Sequence, residues 1–132
     1  MKKILITTCV ILMVSTVANA CGGITVKGNS GTSYCLSKHT MNWYSAYAWC
    51  EAQGMELIDL GGVCKSSTSC PELNLSSDQQ QHITDNGGTV GYVWSNDSSS
   101  SSIAIAINLS GGKVYIGFGT FARNTKISVL CF

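Results

Sequence analysis

Cysteine is the residue type whose number and spacing say most about chemistry in this chain. The 132 residues contain seven cysteines, and Cys9 lies in an N-terminal segment that we expect to be removed. An even number of cysteines in an exported domain of this size indicates a disulfide framework. A zinc site would need closely spaced pairs of cysteine or histidine, and no C-x-x-C sequence occurs. We therefore expect six disulfide-bonded cysteines and no metal site.

Six cysteines allow many pairings, which sequence narrows only through spacing. Spacing favours three pairs: Cys64 with Cys70, Cys21 with Cys35, and Cys50 with Cys131. The first pair would clip a short loop, and the second would flank a predicted hairpin. The third is what remains, and it would close a loop of about 80 residues, the kind that most restricts the unfolded chain in the entropy model.

The other reactive residue types do not form a catalytic constellation. A nucleophile needs an adjacent base, and every remaining cysteine has an expected disulfide partner. His39 and His82 are best explained as ordinary surface residues, and Glu51 and Glu56 as solvated positions at the end of a helix. The sequence therefore predicts a protein that is not an enzyme and that needs no cofactor.

The first 20 residues predict an export signal. Two lysines precede an apolar run over residues 4–14, and Ala18-Asn19-Ala20 places small residues at both positions that determine cleavage. The run is shorter than the roughly 20 residues that a membrane-spanning helix needs. We therefore expect a protein that begins at Cys21, has no transmembrane segment, and is secreted, periplasmic or on the cell surface. A lipid anchor on Cys21 is the alternative, although Ala18 and Asn19 depart from the usual lipoprotein pattern.

Residues 21–132 are enough for a single domain with one modest core. They carry six basic and seven acidic side chains, which gives a net charge of −1. The basic residues are scattered along the sequence. This pattern argues against nucleic acid or an anionic membrane surface as a partner, because both are held mainly by clustered lysine and arginine.

A predicted helix near the middle of the chain positions one of the cysteines. Trp43, Ala46, Tyr47 and Cys50 recur at the spacing of one helix face, so we expect that face to point into the core. Gly54 follows the last periodic residue and predicts a left-handed cap. The helix would thus aim a thiol at the body of the domain.

The rest of the chain predicts a shorter helix and then strands. Ser76 or Ser77 would be the N-cap of the helix, since Ser77 and Gln80 have the capping-box spacing, and Asn86-Gly87 would end it. Because this helix is polar, we expect it on the surface. Four strands are predicted after it: Thr89–Ser95, Ile103–Leu109, Lys113–Phe118 and Lys126–Phe132.

The alternation of side chains assigns faces to these strands. Ile127, Val129 and Cys131 share a face, which must be the core face if Cys131 bonds to the helix. Over residues 103–107 isoleucine alternates with alanine, as expected of a sheet with one crowded side. Five serines at 98–102 predict an exposed loop.

These residues carry a resemblance to a known family. Its motifs here are Tyr34-Cys35, then Trp43, Ala46, Cys50, Gly54 and Leu57, and finally Val129-Leu130-Cys131. In this order they resemble the C-type-lectin-like fold, in which a Trp-Ala-Cys helix is disulfide-bonded to the last strand. Longer members add an N-terminal hairpin with its own disulfide. The resemblance implies an α+β fold with two helices packed on small antiparallel sheets and stabilised by disulfides.

The last third of the chain is similar to bacterial surface versions of this fold. Its motifs run from Val93-Trp94-Ser95 through Asn108, Gly111 and Gly112 to Cys131. The Glu-Pro-Asn or Gln-Pro-Asp tripeptide through which sugar-binding members coordinate calcium is absent. Calcium also needs about six to eight oxygen ligands, and no loop clusters several carboxylates. A calcium site built on Asn96 and Asp97 with backbone carbonyls stays open as an alternative.

The resemblance implies a binding module that recognises a protein or a glycan without calcium. Aromatic residues, Asn, Asp and Arg in the last third are the candidate ligand contacts: Tyr92, Trp94, Asn96, Asp97, Tyr115, Phe121, Arg123 and Asn124. Trp94 is alternatively a core residue, whereas Phe121 and Arg123 are expected to be exposed. Two other functions are open: a structural or assembly component of a surface appendage or envelope complex, and a calcium lectin with an unconventional site.

Overall fold

The structure is a computed structural model that describes residues 21–66, 69–96, 103–118 and 123–132, with only the backbone at 103 and at 115–118. The predicted signal peptide and the whole serine run, residues 98–102, lie outside these residues. The chain has an α+β fold with three disulfides, as expected. Within the described residues, no helix combines the length and the apolar character needed to cross a bilayer.

Strands open and close the described chain, and the helices lie between them. The strands are β1 (Ile24–Lys27), β2 (Ser33–Leu36), β3 (Tyr92–Trp94), β4 (Ile103–Asn108), β5 (Val114–Phe118) and β6 (Ser128–Cys131). The helices are α1 (Trp43–Ala52), α2 (Leu60–Val63), a 3-10 helix (Pro71–Leu73) and α3 (Ser77–Asp85).

The described strands form one sheet in the order β1-β2-β6-β3-β4-β5. The neighbours are antiparallel except for β3 and β6, which run parallel. The expectation of small antiparallel sheets was therefore wrong. The last strand inserts between the N-terminal hairpin and β3, and its backbone hydrogen bonds join both halves into a single mixed sheet.

Both faces of the central strands are buried. All four residues of β6 are buried. One face carries Leu36, Val93 and Leu130 in the cluster that also contains Ile83 of α3. The opposite face packs against α1 and carries smaller side chains such as Ala106. The alternation of isoleucine and alanine in β4 thus separates large from small side chains rather than core from solvent.

Helix α1 forms where the spacing predicted it. Asn42 caps its N-terminus by accepting a hydrogen bond from the Ser45 backbone N–H at 2.9 Å, and Gly54 follows it with φ at +70°. Ala46 and Cys50 are buried as expected. Tyr47 is 47% exposed and does not belong to the buried face, because it lies at the margin of a narrow apolar stripe.

Helix α3 begins after Ser76, one of the two predicted N-caps. Ser76 and Gln79 form the capping box, rather than the Ser77 and Gln80 pair whose spacing suggested it. Most of the helix is exposed, as predicted, and Ile83 anchors it in the core. Gln79 also donates a hydrogen bond to the Lys27 carbonyl at 2.7 Å, which ties the helix to the outer edge of β1.

The three disulfides join the pairs that spacing favoured. They are Cys21–Cys35, Cys50–Cys131 and Cys64–Cys70. The second spans 81 positions of sequence and fixes α1 to β6. Since β6 is one of the two middle strands of the described sheet, this bond attaches the helix to the centre of the sheet.

Candidate functional site

A cleft of about 400 Å³ lies at the C-terminal end of α1. Its walls come from the last turns of the helix, the extended segment that follows, and the residue after Trp94-Ser95. The lining residues are Tyr47, Glu51, Gly54, Met55, Glu56, Leu57 and Asn96. The volume lies within the range of small-ligand sites, and the lining combines one aromatic ring, two carboxylates, an amide and an apolar floor.

Backbone hydrogen bonds hold the walls of the cleft in place. Glu56 and Phe132 exchange two bonds, with N–O distances of 2.9 and 2.8 Å. The Asn96 N–H donates to the Ile58 carbonyl at 2.7 Å, and Leu57 forms an isolated bridge with Cys131. The disulfide from Cys131 to α1 fixes the remaining wall. The side chains therefore project from a rigid frame, which lowers the entropic cost of binding.

An aromatic ridge, defined as Trp43, Tyr44 and Tyr47, runs along α1 beside the cleft. The rings of Trp43 and Tyr47 have centroids 6.0 Å apart, and Trp43 meets Tyr44 edge to face at 5.5 Å. The Trp43 indole N–H donates to the Ser95 carbonyl at 2.9 Å, which fixes the ring. Tyr44 and Tyr47 are each about half exposed. The ridge thus offers rigid aromatic surface next to the polar groups of the cleft.

Arg123 supports this ridge from inside. Its guanidinium carbon lies 4.4 Å from the centre of the Trp43 ring and 5.9 Å from that of Tyr44. Arg123 is only 5% exposed, so the expectation of an exposed arginine was wrong. The delocalised cation of arginine stacks on aromatic faces at modest desolvation cost, which explains why this residue is buried. Its position makes it a support for the ridge rather than a surface contact.

Trp94 lies in the core, 3% exposed. Its indole N–H donates to the Met41 carbonyl at 2.9 Å, so its polar atom is satisfied within the domain. A side chain this deeply buried has almost no surface to offer a ligand. The structure agrees with the alternative interpretation of Trp94 as a core residue.

The other predicted contacts are spread over the domain. Asn96 is exposed and lines the cleft, whereas Tyr92, 40% exposed, begins β3 opposite Asn108. Asn124 is exposed beside Arg123. Only the backbone of Tyr115 is described; it lies in β5 and pairs with Ala106 of β4. Asp97 and Phe121 lie outside the described residues. Among the predicted contacts whose side chains are described, Asn96 lines the cleft.

A second polar cluster surrounds Glu72, away from the cleft. Its carboxylate accepts hydrogen bonds from the Ser30 N–H at 2.6 Å, from the Ser30 hydroxyl, and from the Tyr34 hydroxyl at 3.2 Å. Burial raises the pKa of Glu72, but these hydrogen bonds outweigh burial and hold the pKa of that carboxyl below its usual value. Burial, reinforced by the nearby Glu72 charge, raises the pKa of Tyr34 to about 12.

This cluster joins two distant parts of the chain. Asn29 donates from its side chain to the Pro71 carbonyl at 2.6 Å and to the Asn74 carbonyl at 2.9 Å. The Asn29 backbone N–H donates to the Glu72 carbonyl at 3.0 Å. These bonds attach the turn between β1 and β2 to the 3-10 helix. The Glu72 carboxylate already accepts hydrogen bonds from Ser30 and Tyr34 within the domain. We interpret the Glu72 cluster as structural.

In the described part of the chain, no three side chains of His, Cys, Asp or Glu come together as metal ligands. The alternative calcium site involves Asn96 and Asp97, of which Asp97 lies outside the described residues. Asn96 contributes to the cleft through its own amide.

Sequence reasoning missed Tyr47, Glu51 and Glu56 as site residues. Tyr47 was assigned to the core by helical spacing, and the two glutamates were interpreted as solvated positions around a helix end. A signal was present, since Tyr47 and Glu51 are four residues apart and so share a helix face. Glu56 and Asn96 line the same cleft because the last strand, β6, pairs within the sheet next to both segments. Contacts between residues so far apart in sequence cannot be predicted from local spacing.

Comparisons with known proteins leave the family open. No model of a known protein family matches the chain, and no curated protein matches it significantly. The cleft and its surroundings are therefore the basis on which the function is inferred.

Proposed function

We propose that this protein is an exported, lectin-like binding module that holds a glycan in the cleft beside the aromatic ridge. The observation that carries the proposal is the half-exposed ring of Tyr47 next to Glu51, Glu56 and Asn96 on a disulfide-fixed frame. Sugars present apolar C–H faces and hydroxyl groups, so an aromatic ring flanked by carboxylates and an amide matches both. The module acts by recognition, without catalysis.

The C-type-lectin-like assignment belongs to this proposal. It is supported by the helix-to-last-strand disulfide, Cys50–Cys131, and by the hairpin disulfide, Cys21–Cys35, which match the family pattern in order and placement. It departs from sugar-binding members in lacking their calcium tripeptide. Recognition through Tyr47 and its polar neighbours would be independent of calcium, because the groups that contact the ligand are side chains rather than a metal ion.

A glycan array with oxidised 21–132 protein, run in parallel with calcium and with a chelator, tests the function. We expect binding to defined sugars that survives the chelator. Binding that disappears in chelator would instead support an unconventional calcium lectin. No binding to any sugar under either condition would contradict the proposal and favour a protein partner.

A pair of tyrosine variants tests the position of the site. We expect Tyr47→Ala to weaken binding about fivefold or more, since losing a central aromatic contact costs about 1 kcal/mol or more. Tyr92→Ala is the matched control, because Tyr92 is similarly exposed but lies outside the cleft lining. Weaker binding by Tyr92→Ala with unchanged binding by Tyr47→Ala would instead place the site on the surface around β3.

An assembly role remains the second candidate, and the sheet edges give it a specific form. The outer edge of β1 is engaged by α3, through Gln79 to the Lys27 carbonyl and through His82, whose ring nitrogen lies 3.1 Å from the Thr25 carbonyl. A partner strand would therefore add at β5, the opposite edge. Copurification of a stable partner from the native cell envelope would favour this role over glycan binding.

A further inference from the structure

The cleft has a marked electrostatic character. Its charged lining residues are Glu51 and Glu56, and neither lysine nor arginine is among the described residues that form its walls. Both glutamates are exposed, so they face the solvent from which a ligand arrives. The nearby cation, Arg123, is buried behind the Trp43 ring. A ligand in the cleft therefore meets negative charge and a tyrosine ring.

The ring and the charges are arranged to favour a cation. Tyr47 and Glu51 are one helical turn apart on the same face of α1. A cationic group held by the Glu51 carboxylate would also be within reach of the face of the Tyr47 ring, where the negative pole of the ring's quadrupole attracts a cation. Glu56 supplies a second carboxylate from the facing wall.

The remaining groups favour a sugar over a peptide side chain. A lysine side chain would bring one charge on an aliphatic arm, and it would leave Asn96 and one carboxylate without a partner. A sugar ring carrying a free amine brings one charge and several hydroxyls. The amine can pair with a carboxylate while the hydroxyls bond to the other carboxylate and to the Asn96 amide.

We propose that the cleft selects amino sugars with a free, protonated amine over their neutral N-acetylated counterparts. This inference rests on the proposed glycan-binding function and adds the chemical class of the ligand. The specificity arises from Glu51 and Glu56, which attract the amine, whereas the Tyr47 ring would contact either form of the sugar.

The test compares oligomers of glucosamine with oligomers of N-acetylglucosamine of equal length, by calorimetry at about pH 6, below the usual pKa of an aliphatic amine. We expect the free-amine form to bind roughly threefold to tenfold more tightly, the range that one or two exposed ion pairs supply. The preference should shrink in high salt, because exposed charges are screened.

A double variant and a single-site control make the test specific. The variant Glu51→Gln/Glu56→Gln should lose the preference while still binding the acetylated oligomer, since Tyr47 and Asn96 are intact. Asp78→Asn, an exposed acid on α3, is the control and should leave the preference unchanged. A preference that survives removal of both glutamates would overturn the inference.

Other outcomes separate this inference from the proposed function. Equal binding of both oligomers, or tighter binding of the acetylated form, would refute the amine selectivity while leaving a glycan-binding module. Binding of a tetralysine peptide in place of both oligomers would refute the sugar class. Failure of both oligomers and of every neutral sugar would refute the glycan-binding function itself.

Discussion

At the scale of single residues, the Glu72 carboxylate makes the clearest energetic contribution. It accepts bonds from Ser30 and Tyr34, and its pKa is held below the ordinary value of 4.5. A group with a depressed pKa stabilises the fold above the unfolded-state pKa, and that stability is lost as the pH falls through the folded-state pKa. The Glu72 cluster should therefore weaken in acid, below about pH 4.5.

The variant Glu72→Gln tests this contribution. It keeps the side-chain shape but removes the charge, so we expect it to lower the free energy of unfolding at neutral pH by about 1 to 2 kcal/mol. Bonds to a charged group contribute about 1.5 to 3 kcal/mol, and the partial exposure of Glu72 reduces that value through solvent screening. The loss should diminish as the pH falls, since the wild-type carboxyl is then protonated. Urea unfolding from neutral pH down to about pH 3 measures the loss of stability and its dependence on pH. Glu51→Gln is the control at an exposed position, and an equal loss there would contradict the assignment.

The burial of single residues was predicted correctly at some positions and not at others. The spacing of Ala46 and Cys50 identified buried positions correctly because both lie at the centre of the apolar stripe of α1. Tyr47 lies at its margin, where periodicity does not distinguish core from surface. Arg123 was expected in solvent, yet it is buried against Trp43, and that contact joins residues 80 positions apart in the sequence. A local sequence pattern does not predict a contact between residues so far apart in the sequence.

At the scale of elements, caps decide where the helices begin. Ser76 accepts a bond from the Gln79 N–H at 3.3 Å, and the Gln79 side chain accepts one from the Ser76 N–H at 2.6 Å. The sequence offered Ser76 or Ser77 as the N-cap, and the capping-box spacing was noted for Ser77 and Gln80. The side chain of Gln79 also reaches the edge of β1. This tertiary bond favours the Ser76 register.

The two serines make a matched pair of variants. We expect Ser76→Ala to reduce the free energy of unfolding by about 1 kcal/mol, the typical cost of losing an N-cap. Ser77→Ala should change it by less than about 0.5 kcal/mol, because an exposed first-turn serine contributes little beyond helix propensity. Equal losses, measured by urea unfolding, would show that the cap is shared between the two positions.

The sheet is the element that sequence predicted least completely. Strand positions were recovered because alternation and turn signals are local, although observed strands such as Tyr92–Trp94 are shorter than the predicted segments. The parallel contact of β3 with β6 is formed by residues more than 30 positions apart, for example Val93 with Ser128. Its register depends on the packing of both sheet faces at once. The mixed sheet therefore could not follow from local patterns.

At the scale of the whole molecule, the disulfides divide into long and short closures. Cys50–Cys131 closes 81 positions and joins α1 to the central strand, whereas Cys64–Cys70 closes six. In the chain-entropy model the longer loop contributes about 4.5 kcal/mol and the shorter about 2 kcal/mol. The longer bond also fixes the wall of the cleft that carries Tyr47. Stability and the geometry of the site are thus coupled through one bond.

Removing each bond separately tests this coupling. We expect Cys50→Ala/Cys131→Ala to reduce the free energy of unfolding by about 2 to 5 kcal/mol and to lose ligand affinity even where the domain stays folded, because Tyr47 and Glu51 are then free to move with α1. Cys64→Ala/Cys70→Ala should cost less stability and leave affinity unchanged, since neither cysteine lines the cleft. Urea unfolding measures the loss of stability, and calorimetry on folded variant protein measures the loss of affinity. An unchanged affinity in a folded Cys50/Cys131 variant would show that the backbone bonds of Glu56 and Asn96 suffice to position the site.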